Sequence, residues 1–124
     1  MRIYESRENY LETILVLKKL NGQVRSIDIA RKLNFSKPSV SRAIGILKED
    51  GFVVIDRDGY IEFTEKGKQK AESVYDRHNQ ITEFLISIVG VSADIAEEDA
   101  CRIEHVISEE TFLKIKEYLN EAKQ

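Results

Sequence analysis

Cys101, Glu104 and His105 stand at i, i+3 and i+4, a spacing that sets three side chains on one face of a helix. A thiolate, a carboxylate and an imidazole together suit Fe(II), Zn(II), Co(II) or Mn(II), with the thiolate drawing preference away from the hard end of the series. His78 lies on the apolar stripe of a long predicted helix, where its ring needs a buried partner. Asn9 and Glu12, at i and i+3 on the first predicted helix, add an amide and a carboxylate. Taken singly, His78 also reads as a satisfied core histidine and Cys101 as a small buried apolar residue. Cys101 and His105 would be the nucleophile and base of an enzyme. No oxyanion-hole or substrate-loop signal accompanies that pair, so no enzyme is expected.

A second set of residues is basic. Between Thr13 and Lys48 eight Lys and Arg face the single acid Asp28, a balance of +7, which is the footprint of a polyanion-binding face. A solvated helix surface is the plainer account of charge alone. The overall charge of −3 conceals the division, because residues 1–60 carry +3 and residues 61–124 carry −6. The run Ser36-Lys37-Pro38-Ser39-Val40-Ser41-Arg42 places hydroxyls, a cation and a forked guanidinium at the start of one helix. Ser36 and Ser39 suit phosphates and Arg42 suits a guanine edge. Arg25, Lys37, Pro38 and Ser41 belong to the same expected DNA-binding surface, with Lys48 and Arg57 on phosphates.

The elements that must position these residues follow from periodicity. Tyr10, Leu11, Ile14, Leu15 and Leu17 predict a helix over roughly 6–20, ended by Asn21-Gly22. Ser26 opens a short helix with Ile27, Ala30 and Leu33 inward, ending near Asn34. Ser36 caps a third, with Pro38 in its first turn and Val40, Ala43, Ile44 and Leu47 inward, which Gly51 stops. The period then changes to two: Phe52–Ile55 and Tyr60–Phe63 flank Asp58-Gly59, a hairpin signal. Three helices and a hairpin are the order of a winged helix-turn-helix. From Thr64 a long helix carries the seam Ala71, Val74, His78, Ile81, Leu85 and Ile88 up to Gly90, and two more helices are predicted over 93–107 and 109–121.

With 124 residues, 42% of them hydrophobic and 33% charged, six Gly and one Pro, the chain has the composition of one helical, globular unit. A lone cysteine fits a reducing compartment. No apolar run approaches the roughly 20 residues of a membrane span, so a cytoplasmic protein without a membrane partner is expected. The Phe84–Val91 run, with Phe112, Ile115 and Leu119, predicts an isologous dimer, because so small a chain cannot cover every helical face.

Asn9-Tyr10-Leu11-Glu12, the helix-turn-helix, Tyr75-Asp76-Arg77-His78 and the stretch Asp99–Ser108 around Cys-x-x-Glu-His resemble the DtxR/MntR family of metal-dependent repressors over essentially the whole chain. The resemblance implies a mainly α fold, with a winged-helix DNA-binding domain over 1–64 and a helical metal-binding and dimerisation domain over 65–124. It implies a homodimer that binds double-stranded operator DNA when Fe(II) or Mn(II) is plentiful, with Zn(II), Co(II) or Ni(II) as substitutes in vitro. By the same resemblance His78, Cys101, Glu104, His105 and Glu12 are ligands. Asn9 departs from the Met of iron-type members and the Asp of manganese-type ones, and would be a weak amide ligand. Cys101 follows the iron-type pattern and Glu12 the manganese-type pattern. The iron-type ancillary acid falls at Thr82, which has no carboxylate, and Glu83 is one position off register. The rival reading is a winged-helix regulator that senses oxidation at Cys101 without metal; a purely structural module leaves the basic segment unexplained.

Overall fold

Tyr10, Leu11, Ile14, Leu15 and Leu17 are each at most 8% exposed, and their spacing turns one side of the first helix, α1 (Ile3–Asn21), into the core. A computed structural model describes residues 3–122, with side chains from Arg7 onward. The chain divides into two compact units, Met1–Glu72 and Ser73–Gln124.

In the first unit α2 (Ser26–Leu33) opens at Ser26, as expected. Arg25 is the N-cap, and the Asp28 carboxylate accepts the Arg25 backbone N–H at 2.9 Å. The helix buries Ile29 and Ala30, while Ile27 and Leu33 are half-buried, so its inward stripe is rotated from the expected one. Ser36 caps α3 (Lys37–Glu49) by accepting from the Ser39 N–H at 3.2 Å. Val40, Ile44 and Leu47, each at most 1% exposed, pin α3 to the core.

The wing is an antiparallel hairpin, β1 (Val53–Ile55) and β2 (Ile61–Phe63), in the register Val53↔Phe63 and Ile55↔Ile61. Asp56 Oδ1 accepts from the N–H groups of Asp58 and Tyr60 and shapes its tip. Two side chains tie the wing to the helices: Lys18 Nζ meets Glu62 Oε2 at 2.7 Å, and the Arg25 guanidinium lies 4.3 Å from the Tyr60 ring centroid. The fourth helix, α4 (Glu65–Phe84), follows the wing directly in the chain. Gly67 is required there, since a Cβ would stand 1.8 Å from the Phe52 carbonyl oxygen.

In the second unit Ile81, Ala100 and Phe112 form a core, with Leu85, Ile103 and Ile107 against it. The regular seam expected up to Ile88 does not continue. Residues Leu85–Val89 are π-helical, ended by Gly90 at φ 89°, and Ile88 is 38% exposed. Wider winding turns the side chains off the 3.6-residue stripe. The helix α5 (Ala93–Ile103) is also shorter than the predicted 93–107. Both Val106 and Ile107 N–H groups donate to the Ile103 carbonyl, at 3.0 and 3.2 Å, which winds the chain into a tight turn. Ser108 then accepts from the Thr111 N–H at 3.1 Å and starts α6 (Glu109–Ala122). Phe112 and Leu119 are buried within this unit, 6% and 1% exposed. They are therefore not the dimer-forming surface expected of them; Ile86, Ile88, Val89, Ile95, Val106, Leu113 and Tyr118 are the large apolar side chains exposed among the described residues of this unit. Among the described residues no helix is long and apolar enough to cross a membrane.

Candidate metal centre and nucleic-acid interface

Four sequence-predicted donors meet in the second unit. His78 on α4 is 6% exposed, and Glu104, in the turn after α5, is 1% exposed. His78 Nδ1 stands 2.8 Å from Glu104 Oε2, and His105 Nε2 stands 3.2 Å from Glu104 Oε1. Cys101 Sγ lies 3.8 Å from His78 Nδ1, and the residue is exposed, so the reading of it as a buried apolar residue does not hold. Its position on the rim of α5 turns the sulfur toward the ring and solvent together. With Glu104 ionised, Nδ1–H is the donor to the carboxylate and the ring's lone pair is at Nε2. That nitrogen is 3.8 Å from Glu97 Oε1.

Glu104 and His105 were expected on the same helix as Cys101. They lie instead in the turn that ends it. Glu104 keeps helical dihedrals, φ −58° and ψ −24°, at the C-cap, so the i, i+3 relation to Cys101 survives the end of the helix. The donor set fits a transition-metal ion. Ligand atoms about 2.0–2.3 Å from such an ion lie about 3–4 Å from one another, and the Glu104 Oε1–His105 Nε2 separation of 3.2 Å is of that size. A buried carboxylate between two imidazoles is otherwise an expensive arrangement.

In the first unit Glu12 and Asn9 are half-buried on α1, and the Asn9 carbonyl accepts from the Thr13 hydroxyl at 2.8 Å. Thr82 hydrogen-bonds the His78 carbonyl at 2.8 Å and steadies the helix rather than offering a ligand. Two residues escaped the sequence reading. Glu97 lies four residues before Cys101, a spacing that puts it on the same face. Arg77 adjoins His78 and donates to the Glu104 carbonyl at 3.3 Å.

On the basic surface Lys37, Pro38, Ser41, Arg42 and Lys48 are exposed on α3, opposite its buried stripe, and Arg57 is exposed at the wing tip. Arg25 is exposed as well, its guanidinium stacked on Tyr60. Ser36 and Ser39, expected to meet phosphates, bond each other through their hydroxyls at 2.8 Å. The cap competes for the same oxygens, which is why hydroxyl residues at a helix start are ambiguous in sequence.

Residues 2–61 match the model of the iron-dependent repressor N-terminal DNA-binding domain, and residues 64–124 match that of the iron-dependent repressor metal-binding and dimerisation domain. An HTH-type transcriptional regulator of Methanocaldococcus jannaschii is 32% identical over 96% of both chains. The iron-dependent repressor IdeR of Mycobacterium tuberculosis is 30% identical over 95% of this chain and 51% of its own length. The solved structure of the manganese regulator SloR superposes with a TM-score of 0.81 at 30% identity, covering 92% of this chain and 53% of that one. The chain thus spans about half the length of IdeR and of SloR. Matched in both halves, and aligned nearly end to end with the first of these relatives, the chain belongs to the DtxR/MntR family of metal-dependent transcriptional repressors.

Proposed function

We propose that this chain is a homodimeric repressor that binds operator DNA when its metal centre is filled by Fe(II) or Mn(II). The observation that carries the reading is Glu104, a carboxylate 1% exposed and within 3.2 Å of two imidazoles. His78, Cys101, Glu104 and His105 are the proposed ligands. Glu12, and Asn9 as a weak neutral amide, join them on the strength of the family resemblance. A bound divalent ion supplies the positive charge that a buried carboxylate and a neighbouring thiolate need. The residues of 1–64 then read DNA, and those of 65–124 hold the ion and the partner copy. The thiolate of Cys101 biases the centre toward Fe(II), Co(II) or Zn(II) over Mn(II).

Two recognition helices enter successive major grooves about 34 Å apart. Ligands that restrict their spacing raise operator affinity without touching a base. The protein is proposed as cytoplasmic and without enzymatic activity. Calorimetric metal titration of wild type and His78→Ala, paired with fluorescence anisotropy on operator DNA, tests the reading. Loss of both metal binding and metal-dependent DNA binding is expected, and equal metal affinities would remove His78 from the centre. The exposure of Cys101 favours a second reading, regulation by oxidation. In that case peroxide treatment of metal-free protein changes DNA affinity, and metal addition does not.

A further inference from the structure

Arg77 makes three contacts with the chain that follows α5. Nη1 donates to the Glu104 carbonyl oxygen at 3.3 Å, Nη2 donates to the Glu109 carboxylate at 2.5 Å, and the guanidinium lies 5.0 Å from the Phe112 ring centroid. Its side chain is 21% exposed, so these contacts are partly shielded from water. They span the whole reach of a guanidinium: a fork for two acceptors and a flat face for a ring.

The place held is the one that matters for the centre. Ending α5 at Ile103 takes Glu104 and His105 out of the helical ladder, where orphan carbonyls need donors from elsewhere. Arg77 supplies one to the Glu104 carbonyl, while its neighbour His78 meets the Glu104 carboxylate at 2.8 Å. Adjacent residues of α4 therefore hold Glu104 at both ends. The His78 contact engages the Glu104 carboxylate, which is a proposed ligand. The Arg77 contacts use a backbone oxygen, Glu109 and Phe112, none of them a proposed ligand atom, so they are compatible with a filled centre.

We propose that Arg77 is the positioning residue of the metal centre: it anchors the Glu104–Ile107 turn to α4 and to the start of α6, and so sets where the Glu104 and His105 donors stand. This rests on the metal reading of the site given above. Partners of this kind, one step removed from the ligands, change metal affinity by about 10- to 100-fold when removed.

Co(II) titration of the full chain tests it, with affinity read by calorimetry and coordination read from the visible ligand-field and thiolate charge-transfer bands. Arg77→Ala is expected to bind about 10- to 100-fold more weakly, with shifted bands. Arg77→Lys should fall between, because an ammonium keeps the charge but not the fork or the flat face. Arg102→Ala, which removes an exposed pair with Glu98 on α5, should leave both readouts at the wild-type values. Thermal unfolding of the metal-free variants separates positioning from stability; if Arg77→Ala fails to fold, Arg77→Lys decides. Wild-type affinity and bands in the folded Arg77 variants would overturn the role of Arg77 alone. Absence of Co(II) bands in wild type would instead overturn the metal reading, and this inference with it.

Discussion

Among the described residues of the first unit, those at most 1% exposed are Leu11, Ile14, Val24, Ile29, Val40, Ile44, Leu47, Val53, Ile61 and Ala71, with Tyr10 and Thr13 the buried hydroxyl-bearing residues at 5% and 7%. Its ion pairs, such as Lys18–Glu62 and Arg7–Asp50, keep partial access to solvent. In the second unit an imidazole and a carboxylate are sealed in near Ile81 and Ala100. Burying apolar surface stabilises a fold outright. A buried ion pair is often worth less than apolar residues of the same size. The first unit is thus a finished scaffold for presenting charge, whereas the second, on the proposed metal reading, gives up stability to keep polar atoms for an ion. Binding an ion to the folded form alone would restore that stability.

The sharpest way to break this contrast is at Glu104. Glu104→Ala leaves the His78 and His105 rings without their carboxylate, and should cost about 3–5 kcal/mol in metal-free denaturant unfolding as well as metal binding. Lys18→Ala, at the partly exposed pair of the first unit, should cost about 1 kcal/mol. The paired replacement His78→Leu with Glu104→Leu should instead be neutral or stabilising by about 1–4 kcal/mol without metal, while metal addition no longer raises Tm. A strongly destabilised double variant would mean that the polar pair is a structural asset.

Gly67→Ala tests the first unit as a rigid scaffold. The added methyl meets backbone at 1.8 Å, not a flexible side-chain end, so a loss of about 1–3 kcal/mol is expected. Thermal unfolding measures it, and no change would mean that the start of α4 moves freely from the wing.

On the DNA-facing side, Arg42→Ala should weaken operator binding by about 1–3 kcal/mol more than binding to random DNA. Lys48→Ala should weaken both alike and lower the salt slope by about 1. Equal losses on both DNAs for Arg42→Ala would place Arg42 on phosphate.

The smallest expected effect is at Tyr10, 5% exposed against Phe35 in the first unit. Burial pushes its phenol above the ordinary value of 10.0. The folded state therefore resists deprotonation, so stability is unaffected below pH 10 and falls as pH rises past it, where the unfolded chain loses that proton more readily. Tyr10→Phe should flatten this alkaline loss in unfolding measured between neutral and strongly alkaline pH.

Local signals settled much of this molecule before any coordinates. Ser36 and Pro38 mark the start of α3, Gly51 marks its end, and Asp58-Gly59 marks the wing, because caps and turns are short-range hydrogen-bond and dihedral problems. The i, i+3, i+4 grouping of Cys101, Glu104 and His105 was legible for the same reason. Tertiary packing decided the rest. Whether α5 ran through His105 or stopped at Ile103 depended on the competing carbonyl of Ile103 and on the cap at Ser108. Which apolar residues of α6 faced inward depended on Ile81 and Ala100. That Arg77 would reach Glu104, 27 residues away, and that Gly67 would press on Phe52, are contacts between segments distant in sequence. No local propensity encodes them, since they exist only once the chain's buried faces have chosen their partners.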